Sequence, residues 1–150
     1  MRLVVQRVTG ASVRSGGEPL GEIGIGAVAL VGIGADDTTE IADRMADKLI
    51  GLRYFEDTDG RTNLDIADAG GALLVVSQFT LYADLRRGRR PGFTTAALPD
   101  IATPLVDRFV DRLRDAGARV ETGRFGADME VELVNDGPFT LVIDSDRDLA

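Results

Sequence analysis

Alternation of apolar and polar residues marks the N-terminal third of the chain, and this period of two is typical of β-strands with one exposed face. It predicts strands at residues 3–9, around Val13 and at residues 27–33. The stretch SGGEPLG, at residues 15–21, predicts a turn between the second and third of these strands, because glycine and proline favour chain reversals.

From Thr38 the period of the apolar residues changes to that of a helix. The helical stripe consists of Ile41, Met45, Leu49 and Leu52. Asp37 and Glu40 are placed where acidic residues cap the start of a helix. A second helix is predicted to begin near Thr103, with Pro104 in its first turn and Gly117 as its stop. Its buried stripe consists of Leu105, Val106, Phe109, Val110 and Leu113.

Between the helices, LRYFEDTDGRTNLDI predicts a strand that runs into a polar turn. The stretch GALLVVSQFTLY, at residues 71–82, is almost continuously apolar, which favours a central strand buried on both faces. The C-terminal part predicts strands at residues 119–122, 129–134 and 140–143. The chain is therefore expected to be one α+β domain, residues 1–150, with two main helices packed on a mostly antiparallel or mixed sheet.

The last two strands are separated by NDGPFT, residues 135–140, where a Gly-Pro pair interrupts the alternating pattern. Proline cannot donate a hydrogen bond to a neighbouring strand, and glycine weakens a strand. The pair therefore predicts a turn, a bulge or a backbone shaped for contact with another molecule.

The amino-acid composition excludes several kinds of catalytic and metal site, but it says less about the fold. The chain has no cysteine and no histidine, which excludes disulfides, thiol nucleophiles, thiolate metal sites and the usual general base. Its only lysine, Lys48, falls in the first helix, so the sequence gives no support to Schiff-base chemistry. No apolar run is long enough to cross a membrane and no signal peptide is apparent, so a cytoplasmic protein without membrane contact is expected.

Three local motifs admit a functional and a structural interpretation. GIGAVA, at residues 24–29, resembles a dinucleotide fingerprint but runs into a strand rather than a helix, so hairpin glycines are favoured. DTDGRTN, at residues 57–63, has its glycine too early for a calcium loop, so a polar turn and no metal are predicted. The net charge of the chain is −8, yet four arginines lie close together in one predicted loop. These arginines either pair with surface carboxylates or bind phosphates. They are Arg86, Arg87, Arg89 and Arg90.

The stretch SQFT places two hydroxyls and an amide at the end of the most buried strand. The structural interpretation is hydrogen bonding at a strand terminus. The functional one is a site in which Ser77, Gln78 and Thr80, with the backbone N–H groups of Phe79 and Thr80, surround a reacting carbonyl group. No side chain of the types present in the chain is an obvious base for either hydroxyl, and spacing alone does not decide between the two interpretations.

SQFTL at residues 77–81 and NDGPFT at 135–140, taken together, resemble the paired signature motifs of the D-aminoacyl-tRNA deacylases. MRLVVQRVTGASV, RYFEDTDGRTN, RRPGF and TGRFGADMEVELVNDGPFT are also similar to that family, so the resemblance covers nearly the whole chain in order. Two positions differ from the usual family pattern: Phe139 stands where valine is more common, and Gly92 where serine is usual.

The resemblance implies a barrel-like homodimer that needs no cofactor and hydrolyses the ester bond between a D-amino acid, or glycine, and tRNA. It implies that Ser77, Gln78, Phe79 and Thr80 form the catalytic segment. It further implies that a cis Gly137–Pro138 peptide reaches from one subunit into the other subunit's site, where it rejects L-amino acids.

Four further residues are expected to support the site: Arg7, Met129, Asn135 and Thr140. Arg7 would hold the Gly-Pro loop, and Met129 would form a wall of the adenosine pocket, with core packing as the simpler interpretation of Met129. Arg86 to Arg90 are the candidates for contacts with tRNA phosphates. Family behaviour favours attack assisted by the 2′-hydroxyl of the terminal adenosine, but Thr80 as nucleophile stays open at this point.

Two competing functions follow from the same residues. One is a non-catalytic module of the same fold that binds the 3′ end of tRNA, with the Gly-Pro pair as a structural bulge. The other is a structural dimer without affinity for tRNA, which a salt-dependent tRNA affinity would exclude.

Overall fold

Strand β1, Arg2–Ser15, organises the sheet because it pairs with three other strands. In the computed structural model, which describes residues 1–150, β2 (Glu18–Ile23) and β3 (Gly26–Gly32) pair antiparallel with successive parts of one edge of β1. The other edge of β1 pairs antiparallel with β8, Glu130–Asp144. The predicted strands at 3–9 and around Val13 are thus one strand.

Two parallel strands extend the sheet beyond β3, namely β6 (Ala72–Ser77) and β7 (Arg119–Thr122). The mixed sheet curls into a nearly closed barrel, which confirms the predicted fold class. At the closing side, a Cβ atom on Gly21 of β2 would lie 3.1 Å from the carbonyl oxygen of Thr122 in β7, so the absence of a side chain there allows the close approach. A separate hairpin is formed by β4, Phe55–Glu56, and β5, Thr62–Leu64.

Several predicted boundaries are wrong, for local reasons. The turn predicted over SGGEPLG is confined to Gly16 and Gly17, which both have positive φ, and the residues that follow already belong to β2. The apolar run of residues 71–82 is not one strand: β6 ends at Ser77, and a 3-10 helix spans Phe79–Tyr82. The two C-terminal strands predicted on either side of Gly-Pro are one strand, β8, that bulges at the pair.

Helix α1, Thr39–Gly51, is capped by the Thr38 side chain, which accepts the Ile41 N–H, and not by Asp37. The Asp37 carboxylate is engaged elsewhere, because it accepts the Gly34 N–H at 2.6 Å and pairs with the N-terminal ammonium group.

Helix α2 spans Pro99–Asp115 and so begins four residues before the predicted start. Pro99 occupies the first turn, where a missing N–H costs nothing, whereas Pro104 lies inside the helix. Next to Pro104, the Thr103 hydroxyl donates to the Pro99 carbonyl oxygen at 2.7 Å. Gly117, with φ of +91°, ends the helix as predicted.

Helices α1 and α2 lie side by side on one face of the sheet. Arg108 pairs with Asp43 at 2.6 Å and Arg112 with Asp47 at 2.8 Å, so two ion pairs join the helices. The predicted apolar stripe of α2 is buried, and the larger core forms between both helices and the sheet. A smaller core fills the other face of the sheet. None of the helices combines the length and apolar character that a membrane span requires.

The short helix α3, Ser145–Asp148, follows β8 and lies next to the start of the chain, where the Ser145 N–H donates to the Met1 carbonyl oxygen. Hydrogen bonds from the Arg147 guanidinium and from the Asp144 backbone N–H lower the pKa of Asp148 to about 2.

Candidate active site

A cavity of about 560 Å³ opens where the buried strand β6 ends. Its walls come from the ends of β3 and β6, the start of α2 and the segment 125–131, and they are mostly apolar. Ser77, Gln78 and Phe79 line it, so three of the four residues of SQFT face one space. Pockets of this size and character bind small ligands or parts of larger ones.

The strand ends at this point because the backbone of Gln78 bends away after a last bond to β3, in which its N–H donates to the Val31 carbonyl oxygen at 2.7 Å. The Gln78 side-chain amide donates to the Thr80 hydroxyl. Thr80 is exposed and does not line the cavity.

The 3-10 helix that follows leaves two backbone donors unused. No oxygen of the protein accepts the N–H of Phe79 or of Thr80, because the first residues of a helix have no partner in the preceding turn. Phe79 lines the cavity and Thr80 follows it directly, and two adjacent unpaired N–H groups of this kind are suited to stabilising a negatively charged oxygen.

Aromatic side chains and one methionine form the cavity wall. Phe79, 56% exposed, meets Phe93 edge to face with ring centroids 5.0 Å apart. Met129 also lines the cavity, and its sulfur accepts the Arg124 N–H at 3.4 Å. Phe93 and Phe125 were not singled out from the sequence as site residues, since each lies in a loop whose position only the fold determines.

The site is poor in ionisable groups. Asp128 is the one ionisable side chain among the residues lining the cavity. A second, more polar cavity of about 280 Å³ adjoins it and shares Ser77, Val106 and Phe125 with it. Asp107, Asp111 and Arg114 line that second cavity, and sequence reasoning assigned no role to them.

The NDGPFT segment forms a wide bulge in β8. Thr140 pairs with Gln6 of β1 and Asn135 pairs with Val8, so four residues of β8 face the single residue Arg7. The peptide bond between Gly137 and Pro138 is cis. Both residues of the pair are exposed, and a Cβ atom on Gly137 would meet nothing closer than 3.8 Å.

Arg7 fills the space beneath this bulge and is only 5% exposed. Its Nε lies 2.9 Å from a carboxylate oxygen of Asp136 and 3.2 Å from the Asp136 carbonyl oxygen, and its Nη1 donates to the Tyr54 carbonyl oxygen at 2.7 Å. Its guanidinium carbon lies 4.4 Å from the centroid of the Phe139 ring. The arginine therefore contacts the residues on both sides of the Gly137–Pro138 pair.

Asn135 and Thr140 close the base of the bulge. The Asn135 amide donates to the Arg7 carbonyl oxygen at 2.9 Å and to the Phe139 carbonyl oxygen at 3.2 Å. The Thr140 hydroxyl accepts from the Gln6 amide at 3.2 Å. These bonds fix the two ends of the bulge relative to β1.

Within one protomer the bulge and the cavity are separate. Neither Gly137 nor Pro138 lines the cavity that holds Ser77, Gln78, Phe79 and Met129.

The four arginines of the loop differ in whether a carboxylate pairs with them. Asp84 holds Arg86 through two side-chain contacts of 2.9 and 2.8 Å, and these bonds keep the pKa of Asp84 well below its usual range. Arg87, Arg89 and Arg90 are exposed and form no ion pair, so three of the four candidate phosphate contacts are free. At the end of the loop, Gly92 pairs with Asp84, and a Cβ atom at Gly92 would lie 3.9 Å from the nearest atom.

Comparison with known sequences places this geometry among related proteins. The sequence model of D-Tyr-tRNA(Tyr) deacylases matches residues 4–144. The chain is 58% identical over 147 residues to the D-aminoacyl-tRNA deacylase of Symbiobacterium thermophilum, which covers 98% of this chain and 97% of that protein. It is 55% identical over 145 residues to the D-aminoacyl-tRNA deacylase of Bacillus licheniformis, covering 97% and 99%.

Solved structures give the same picture of the fold. A protein described as c-Myc DNA unwinding element binding protein superposes with a TM-score of 0.90 at 38% identity, covering 96% of this chain and 98% of that one. A probable eukaryotic D-amino acid tRNA deacylase superposes with a TM-score of 0.82 over 95% and 97%. Since its identity is 18%, that second likeness concerns the fold alone.

Proposed function

The chain belongs to the D-Tyr-tRNA(Tyr) deacylase family, and we propose that it hydrolyses the ester bond between a D-amino acid and the 3′-terminal adenosine of tRNA. The products are the free D-amino acid and intact tRNA. Cytoplasmic aminoacyl-tRNA is the proposed substrate pool, and no cofactor enters the reaction.

The observation that carries the proposal is the Gly137–Pro138 bulge, which is exposed and yet held in place from beneath. Arg7 and Asn135 fix it with side chains whose hydrogen bonds go to the bulge, to β1 and to the Tyr54 carbonyl. A surface loop held this firmly, with free space around Gly137, is suited to contact with another molecule.

Backbone atoms at this position can distinguish D from L amino acids without recognising any particular side chain. A site that accepts many amino acids cannot select with a shaped pocket, so it must use the atoms that all substrates share. We propose that the carbonyl oxygens of Gly137 and Pro138 accept hydrogen bonds from the substrate's α-amino group, so closely that an L side chain collides with the backbone. A D side chain points away from it. Glycine, including glycine mischarged onto tRNA(Ala), has no side chain to collide and is accepted.

The same proposal requires a homodimer, because the bulge and the cavity of one protomer are apart. Two features support it. The outer edge of β8 pairs with no strand, and Val134 and Val142 expose 64% and 57% of their surface on this strand. In the dimer each bulge would reach the cavity of the other protomer, in keeping with the two-fold symmetry of most homodimers.

In the cavity, the terminal adenosine would pack against Phe79 and Met129, with the ester carbonyl next to the unpaired N–H groups of Phe79 and Thr80. Water attacks the carbonyl carbon, and the two N–H groups stabilise the oxyanion. The adenosine 2′-hydroxyl passes a proton from the attacking water to the departing 3′-oxygen, whose bond to the carbonyl carbon breaks. The absence of histidine and cysteine, and the bond between Gln78 and the Thr80 hydroxyl, support a role for the substrate hydroxyl.

The tRNA body would lie across the arginine loop. Arg87, Arg89 and Arg90 supply positive charge that no carboxylate neutralises, on a chain with a net charge of −8. Local rather than general attraction is therefore proposed to orient the acceptor stem.

The decisive experiment compares release of D-tyrosine and L-tyrosine from the same tRNA by the purified protein, with Pro138→Ala and Gly137→Ala as controls. We expect the wild type to release the D form only, and we expect both controls to lose this release, because a disturbed bulge no longer holds the substrate's α-amino group. Retention of both amino acids by a folded protein that binds tRNA would instead favour the non-catalytic module for the tRNA 3′ end.

A mixing experiment tests the shared site. Gly137→Ala damages the bulge and Gln78→Ala damages the cavity, so a heterodimer of the two would contain one intact site and one doubly damaged site. Random exchange of subunits should restore about a quarter of the wild-type activity, given two equivalent sites per dimer. No recovery after verified subunit exchange would place both motifs in the same protomer's site.

A further inference from the structure

Phe139 follows directly after the Gly137–Pro138 pair, and its half-buried ring lies against the guanidinium group of Arg7. The distance of 4.4 Å from the guanidinium carbon to the ring centroid is within the range of a cation–π interaction. We propose that Phe139 is a positioning residue for stereochemical selection, because it fixes the second side of the bulge that Arg7 holds. This inference rests on the function proposed above.

The contacts of Arg7 show why the ring is needed. On the side before the Gly-Pro pair, the guanidinium holds Asp136 through both its carboxylate and its carbonyl oxygen. On the side after the pair, it donates no hydrogen bond and instead lies against the Phe139 ring. Without the ring, residue 139 itself keeps one side-chain hydrogen bond, which the Asn135 amide donates to its carbonyl oxygen, and the next support is the pairing of Thr140 with Gln6.

An aliphatic residue at 139 would cover Arg7 but would not attract it. The face of an aromatic ring carries negative charge density, and the attraction to a cation is strongest where water is excluded. Arg7 is 5% exposed, so its interaction with Phe139 is largely desolvated. The Asp136 carboxylate, by contrast, is 47% exposed, which weakens its pairing with Arg7 through solvent screening.

Loss of this attraction should increase the rate at which L-aminoacyl-tRNA is hydrolysed. If L-aminoacyl-tRNA is hydrolysed only while the bulge is displaced, its rate is proportional to the displaced population. Removing a desolvated cation–π contact should raise that population about threefold to thirtyfold. Hydrolysis of D-aminoacyl-tRNA proceeds from the held conformation, which remains the major one, so it should change much less.

The test measures kcat/KM for D-tyrosyl-tRNA and L-tyrosyl-tRNA with wild type, Phe139→Leu and Phe139→Tyr. We expect Leu to raise L-tyrosine release by about threefold to thirtyfold with a smaller change for D-tyrosine, and Tyr, which keeps the aromatic face, to retain the wild-type ratio. Amide hydrogen exchange at residues 136, 137 and 139, followed by NMR in the same variants, should be faster in Leu and normal in Tyr. Phe139→Met provides a second non-aromatic variant if Leu folds poorly.

The outcomes separate this inference from the function on which it rests. Equal losses for D and L substrates in the Leu variant, or an unchanged ratio with unchanged exchange, would overturn the role of Phe139 while the deacylase function stands. A wild-type protein that releases neither amino acid would remove the proposed function, and the role of Phe139 in selection with it.

Discussion

Thr80→Ala separates the two routes by which the ester could be attacked. If the substrate's 2′-hydroxyl assists water, the Thr80 side chain only positions its neighbours, and its loss should be tolerated. If the Thr80 hydroxyl is the nucleophile, its loss should abolish turnover.

The structure sets the size of the expected effect. The Thr80 hydroxyl is exposed, and its contact within the protein is the bond that it accepts from the Gln78 amide. Loss of one neutral hydrogen bond costs about 0.5–1.5 kcal/mol, which corresponds to a decrease of at most about tenfold in rate. Removal of a true nucleophile lowers kcat by about 10⁶-fold in a hydrolase that depends on a serine. The two routes therefore differ by several orders of magnitude.

The assay is single-turnover release of D-tyrosine from tRNA with enzyme in excess, so that product release does not mask the chemical step. Asp128→Asn belongs in the same experiment, since Asp128 is the one ionisable side chain of the cavity and the remaining candidate for a protein base. We expect both variants to stay within about tenfold of wild type. A decrease of more than a thousandfold in Thr80→Ala, or a trapped tyrosyl ester on Thr80, would refute the substrate-assisted route; a comparable loss in Asp128→Asn would identify a protein base.

Three further predictions concern tRNA binding and stability. Arg89→Ala should weaken tRNA binding and lower the slope of log affinity against log salt by about 0.7–0.9, whereas Arg86→Ala, whose charge is already paired, should change both less in a filter-binding titration. Gly26→Ala would place a Cβ atom 1.8 Å from a backbone carbonyl oxygen and should cost more than about 4 kcal/mol of unfolding free energy in urea, while Gly24→Ala, with nothing within 4 Å, should be nearly neutral. Because the folded-state pKa of Asp148 is lowered to about 2, its stabilising contribution is present above its ordinary pKa and is lost as pH falls towards 2; Asp148→Asn should make the melting temperature less sensitive to acid over that range.

Helices and buried strands were largely predictable, because burial imposes a period on the sequence. The stripe of α2 from Leu105 to Leu113 is buried as predicted, and β7 has the predicted bounds. The errors arose where an apolar run continued through a change of backbone conformation. Residues 79–82 look like a continuation of β6, but they form a 3-10 turn, so the proposed catalytic segment lies where the strand stops.

The site residues, too, could be predicted only where they interrupt a regular pattern of apolar residues. SQFT and NDGPFT stood out because polar or strand-breaking residues are unexpected within apolar strands. Phe93 and Asp128 did not, because a loop residue acquires a position only from the tertiary fold. The stacking of Arg7 on Phe139 was equally inaccessible, since the two residues are distant in sequence and meet through a shift of register between β1 and β8.

The proposed role of the bulge explains why Arg7 beneath it is buried while Gly137 and Pro138 are exposed. A selector that works by collision must resist displacement when the wrong substrate is pressed against it, so its stiffness matters more than its own contacts with the right one. Arg7 provides that stiffness from the buried side of the bulge, where solvent cannot compete for its hydrogen bond with the Tyr54 carbonyl. Gly137 and Pro138 themselves bear no side chain that could adapt to a substrate. Substitutions beneath the bulge should therefore alter the ratio of D to L hydrolysis more than they alter substrate affinity, whereas substitutions in the cavity should do the reverse.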